Sequence, residues 1–165
     1  MSRASANTQE VASSAAQSGA FAYDAPQYRV VFGSGTVARL GEEADRLGIR
    51  HALVLTTHHQ RSEGERIGGQ LGSRFAGAFA NAAMHTPVEV TEAAVQVVET
   101  NDIDGLIAIG GGSTVGLGKA LSARTGLPQI AVPTTYAGSE MTPILGETRA
   151  ASKPRGDRAI WFRIR

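Results

Sequence analysis

The chain has 165 residues, enough to enclose one core and marginal for two. With 42% hydrophobic and 19% charged residues it has an ordinary globular make-up, and the absence of cysteine excludes disulfide frameworks and thiolate metal sites. The net charge of +1 hides a split: residues 149–165 carry +5 and the other 148 residues −4.

Residues 1–20 hold eleven Ala or Ser and a single Arg, Arg3, without the continuous apolar core of a secretory signal or the Arg content of a transit peptide. Residues 1–24 are therefore expected to be a disordered extension. No window of 18 apolar residues occurs, so no transmembrane helix is expected. With no cysteine, the expected compartment is the reducing cytoplasm.

Residues 25–148 read as one domain. Tyr28–Phe32 is predicted as a strand turning at Gly33-Ser34-Gly35. Val37, Leu40, Ala44 and Leu47 then form one helical stripe that stops at Gly48. Ala52–Leu55 reads as a buried strand ending in Thr56-Thr57-His58-His59. A second helix runs through Ile67 and Leu71, weakened by Gly64, Gly68 and Gly69. Phe75–Ala80 is the third strand. In Thr86-Pro87-Val88-Glu89, Thr86 fits a cap, Pro87 the first helical position and Glu89 a capping box. Val90, Ala93, Ala94, Val97 and Val98 make the buried face of that helix.

The strongest functional signal follows. Ile103–Ile109 is an apolar strand, Gly110, Gly111 and Gly112 come at once, and Ser113 stands at the expected N-cap of a helix reaching Thr125. Bare backbone before free helical N–H groups is a place for a pyrophosphate. The dinucleotide fingerprint G-x-G-x-x-G fails because Val115 stands at its third glycine. The phosphate-loop pattern fails at Ser113 and Ala120. Gly126 closes the helix, and Ile130–Val132 is the fifth strand. The alternation predicts an α/β fold, a Rossmann-like parallel sheet with helices on both faces. Thr56–His58, Gly110–Ser113 and Thr134–Thr135 would lie beyond the carboxyl ends of its strands, where ligands bind.

Pro133-Thr134-Thr135-Tyr136-Ala137-Gly138-Ser139-Glu140-Met141-Thr142-Pro143, with Gly110–Ser113 and Arg29–Gly35, resembles the iron-containing alcohol dehydrogenase family over about residues 25–148. Its loop form resembles the maleylacetate reductase branch of that family. The resemblance implies an NADH- or NADPH-binding domain of a two-domain oxidoreductase, a homodimer, whose all-helical C-terminal domain is absent from this sequence. The implied reaction is reduction of maleylacetate to 3-oxoadipate in aromatic-compound catabolism. It further implies that Gly110, Gly111, Gly112 and Ser113 hold the pyrophosphate. Thr134, Thr135, Gly138 and Ser139 would line the ribose and nicotinamide side, and Thr56 the adenosine ribose. Many members carry Asp where this chain has Gly116, whereas the maleylacetate reductases tolerate glycine. The alternatives are another iron-type alcohol dehydrogenase or a stand-alone nucleotide-binding module.

His85 and Tyr136 are the substrate-side candidates. His58 and His59, adjacent after a strand, make a poor metal pair and are expected on a solvated turn. Lys119 is expected as a solvated helix residue, and Glu140 as a capping or pairing carboxylate. No metal site is expected on this chain, nor a membrane partner. The basic stretch 149–165 is expected to be irregular. The joint break in composition, charge and family pattern at Arg149 suggests a frameshift or truncation, so this chain alone is expected to be inactive. A nucleic-acid arm is the weaker alternative.

Overall fold

The computed structural model describes residues 28–149 and the strand 158–163; the expected extension 1–24 lies outside the described residues. Four parallel strands form the main sheet: β1 (Ala52–Leu55), β2 (Phe75–Phe79), β3 (Gly105–Gly110) and β4 (Gln129–Pro133), in the order β2-β1-β3-β4. The central pair β1 and β3 is buried along its whole length, as continuous apolar runs require in a sheet covered on both faces. Ala52 to Leu55 of β1 pair in register with Gly105 to Ala108 of β3.

Four α-helices cover the sheet: α1 (Leu40–Arg46), α2 (Arg61–Gly68), α3 (Val88–Thr100) and α4 (Gly112–Thr125). Because side chains alternate along a strand, each strand feeds two cores. Leu53, Leu55 and Leu106 pack with Ala94, Val98, Leu117 and Leu121 of α3 and α4. Val54, Ile107 and Ile109 pack with Leu40, Ala44, Ile67 and Leu71 on the α1–α2 side. The predicted Rossmann-like architecture is thus present. The glycines that weaken α2 have a packing reason. A Cβ at Gly64 would stand 2.5 Å from the Thr56 methyl, and one at Gly68 2.9 Å from both Phe75 and Val54. Lost propensity is exchanged for a closer approach of helix to sheet.

Several local expectations need correction. Tyr28–Phe32 is not a strand: Val30 and Phe32 are exposed, and no described strand pairs with them. A strand needs a ladder; among the described residues the side-chain hydrogen bonds that tie the segment down are the two from Arg29 to Glu43 on α1 (2.7 and 2.9 Å). Thr86 does not cap α3. It sits at φ 45, outside the extended region a cap occupies, and Pro87 (φ −59, ψ 137) takes the N-cap position instead. Ser113 does not cap α4; Gly111 does, and the helix starts at Gly112. The tail expected to be irregular includes β6 (Arg158–Arg163), paired antiparallel with β5 (Ile144–Arg149).

β5 is fastened to the main body by a buried carboxylate. Glu147, 1% exposed, accepts from the Thr91 hydroxyl of α3 (2.8 Å) and from Arg124 of α4 (2.9 Å). At its end, the Thr148 amide donates to the Thr86 carbonyl (3.2 Å). The hairpin therefore stands against the turn that leads into α3. No helix among the described residues is long and apolar enough to cross a membrane.

Candidate functional site

The strand order reverses between β1 and β3: β2 lies outside β1, and the next crossover lands on β1's other side. That is a topological switch point, where loops leave in opposite directions and a crevice opens. The carboxyl end of β3 supplies Gly110 to that crevice, at φ 152, a conformation that favours glycine. A Cβ there would meet Thr114 Oγ1 at closer than contact distance and Gln60 Oε1 at 2.9 Å. Gly111 has an ordinary φ of −87, but a Cβ on it would stand 2.9 Å from Thr135 Oγ1. The two glycines are bare for different reasons, one conformational and one spatial.

α4 begins immediately after. The Thr114 and Val115 amides both reach the Gly111 carbonyl at 3.1 Å. The Gly112 and Ser113 amides precede the first intrahelical donor, Thr114, and donate to no acceptor among the described residues, at the positive end of a fourteen-residue helix. Thr114 Oγ1 is a buried oxygen with no hydrogen-bond partner among the described residues.

The structure brings most of the predicted residues together here. The Thr134 amide donates to the Gly110 carbonyl (3.0 Å), so the loop after β4 is stitched to the glycine turn. A Cβ on Gly112 would lie 3.6 Å from the Ala137 methyl, in ordinary contact. Gly138 at φ 76 turns the loop, and Ser139 begins a short 3-10 turn. Gln60, which the sequence reading missed, bridges both sides of the crevice. It accepts from the Thr57 hydroxyl (3.1 Å) and donates to Thr134 Oγ1 (3.2 Å). Its only signal is position: it follows β1 by a few residues, and β1 adjoins β3.

Other predicted residues are placed differently. Thr56 is fully buried, its hydroxyl donating to the Thr57 carbonyl (2.6 Å) and its methyl facing Gly64; the neighbouring Thr57 faces the crevice. Tyr136 is 93% exposed. His58 and His59 lie exposed on a 3-10 turn, their rings edge-on at 6.0 Å. His85 lines an open cleft of about 430 Å³ together with Met84, Thr86, Gly112, Ser113, Gly116, Ser139 and the start of β5.

Lys119 is the clearest departure. It is buried, not solvated, and its ammonium donates to Ser139 Oγ (3.2 Å), Thr142 Oγ1 (3.3 Å) and the Ile144 carbonyl (3.0 Å). All three donors of the ammonium are spent on the loop after β4 and on the first residue of β5. Burial pulls its pKa below the usual lysine value, and the nearby Glu140 carboxylate partly opposes that. Among the described residues no three His, Asp or Glu side chains gather as a metal ligand set.

The family model described as iron-containing alcohol dehydrogenase matches residues 26–156, which include the glycine turn and the loop 134–143. The chain belongs to the iron-containing alcohol dehydrogenase family. The match runs past Thr148, where the sequence reading ends the likeness. A relative within this family, the maleylacetate reductase of Rhizobium sp. (strain MTP-10005), is 51% identical over 133 residues, which cover 81% of this chain and 38% of the relative. The maleylacetate reductase of Sphingobium indicum is 49% identical over 136 residues, 82% of this chain and 38% of the relative. The crystal structure of maleylacetate reductase from Agrobacterium tumefaciens superposes with a TM-score of 0.80 at 46% identity, covering 88% of this chain and 40% of that one. This iron-containing alcohol dehydrogenase chain thus spans about two fifths of the length of the relatives it matches.

Proposed function

We propose that this chain is the coenzyme-binding part of an NAD(P)H-dependent oxidoreductase of the maleylacetate reductase type, acting on maleylacetate. The observation that carries the reading is the Gly110–Ser113 turn: two free amides at the head of α4, approached over a glycine whose missing Cβ would meet Thr135. The fit to a diphosphate rests on that bare cradle and on the row of hydroxyls at Thr57, Thr134, Thr135 and Ser139. Identity near one half to the maleylacetate reductases supports the substrate class.

In this reading Gly112 and Ser113 donate backbone hydrogen bonds to the diphosphate, and the bare Gly111 lets it approach. Gln60 keeps the Thr57 and Thr134 sides of the crevice at fixed spacing, and Lys119 holds Ser139 and the following loop against α4. When bound, the nicotinamide coenzyme supplies the hydride, so the protein's task is to orient and to exclude water. Calorimetric titration with NADH and NADPH tests the proposal. One site per chain is expected. A folded chain that binds neither would contradict it and favour a different family activity.

A further inference from the structure

Tyr28–Phe32 carries an alternation that the main sheet does not use. Tyr28, Val30 and Phe32 are 41%, 61% and 85% exposed, whereas Val31 is half-buried and Arg29 turns back to Glu43 on α1. That is the period of two of an extended chain, with its apolar side chains turned to solvent. No backbone hydrogen bond joins the amides or carbonyls of residues 28–32 to another group among the described residues. The segment is nonetheless anchored, through the paired bonds of Arg29. An anchored apolar stretch with open backbone groups is a template for a further strand. The strand that the sequence predicts here lacks only its neighbour.

The stretch is complementary to itself. In an antiparallel pairing of two copies centred on Val30, Tyr28 of each stands opposite Phe32 of the other, and Val30 opposite Val30. Aromatic and β-branched pairs of this kind stabilise a sheet. Arg29, the single charge in the segment, falls opposite Val31 and keeps Glu43. Centring on Arg29 instead would set two guanidinium groups face to face. The other large apolar side chains exposed among the described residues are Leu47, just after α1, and Met84, Tyr136, Met141 and Ile144 in the elements that frame the cleft. None of these belongs to an alternating apolar run. A two-fold axis at Val30 uses the same face of both copies, so the assembly closes at two.

We propose that Tyr28–Phe32 pairs antiparallel with the same segment of a second copy of this chain, about a two-fold axis at Val30. Because the chain has no cysteine, one engineered thiol reads the position of that axis. Cα atoms directly opposite in such a pair are about 4.5–5.5 Å apart, inside the range that a disulfide spans. Under mild oxidation Val30→Cys should give a covalent dimer, whereas Leu47→Cys, also exposed, should stay a single chain. Tyr28→Cys and Phe32→Cys should cross-link when mixed and not alone. Light scattering of the unaltered 165-residue chain should give twice the mass of one copy. Val30→Asp, which sets two carboxylates at the axis, should weaken the dimer by at least about tenfold without changing the circular dichroism. A monomeric unaltered chain would overturn the assignment. So would a dimer that Val30→Asp leaves intact, or a Leu47→Cys chain that cross-links as readily as Val30→Cys.

Discussion

Adding one methyl group at Gly111 and at Gly110 should have opposite signatures. Gly111 has a backbone conformation any residue adopts, so Gly111→Ala should melt within about 1 kcal/mol of the unaltered chain. Its Cβ would nonetheless crowd Thr135 Oγ1 and close the approach to the free amides, and coenzyme affinity should fall by about tenfold. Gly110 stands at φ 152, with Thr114 and Gln60 where a Cβ would go. Gly110→Ala should therefore destabilise the fold itself, by roughly 1–3 kcal/mol. Denaturant melts beside titrations separate the two; equal stability losses would show that the turn is bare for a single reason. At this scale the sequence was informative about which residues matter and less so about why. Three glycines in a row announce a close approach, but Thr135 as the neighbour of Gly111 and Gln60 as the bridge depend on β1, β3 and β4 lying side by side. Thr56 and Thr57 alternate along an extended chain, and nothing local decides which of the two faces the crevice.

Among the elements, β5 is held by two buried ionic groups rather than by a place in the main sheet. Arg124→Met would leave the Glu147 carboxylate, 1% exposed, with only the Thr91 hydroxyl. Since Arg124 is itself about a third exposed, a loss of roughly 2–3 kcal/mol is expected, below the full penalty of a wholly buried pair. The loss should appear as faster hydrogen exchange confined first to 144–149. Lys119 gives the loop 139–144 its anchor, and its depressed pKa has a definite sign. The unfolded lysine keeps its proton up to about 10.5 whereas the folded one releases it earlier. The penalty of burying the charge is therefore full at neutral pH and fades as pH rises through that window. The stability of the chain relative to Lys119→Met should rise toward alkaline pH in paired urea melts; a difference that stays flat with pH would contradict the burial argument. Neither anchor was legible beforehand. An apolar period marks the face a helix buries, but a lone lysine or glutamate at its margin reads as solvated until the partner element is placed over it. The failed cap at Thr86 has the same origin, because its conformation is set by Thr148, sixty-odd residues away in sequence.

For the whole molecule, the parallel order of strands and the division into two cores followed from the alternation of buried runs and helical stripes. What the alternation could not supply was the β5–β6 hairpin, whose sequence carries neither period and whose stability comes from α3 and α4. The described surface exposes Met84, Met141, Ile144 and Tyr136 in the elements that frame the cleft. The isolated chain should accordingly bind an apolar fluorescent dye, and coenzyme should reduce that signal where it covers Met84 and Ile144. Dye binding that coenzyme leaves unchanged would separate the apolar surface from the site. The most direct measurement is a crystal structure of this chain soaked with NADH. The diphosphate should lie within about 3 Å of the Gly112 and Ser113 amides. A diphosphate bound elsewhere, with those amides facing only solvent, would contradict the account at its centre.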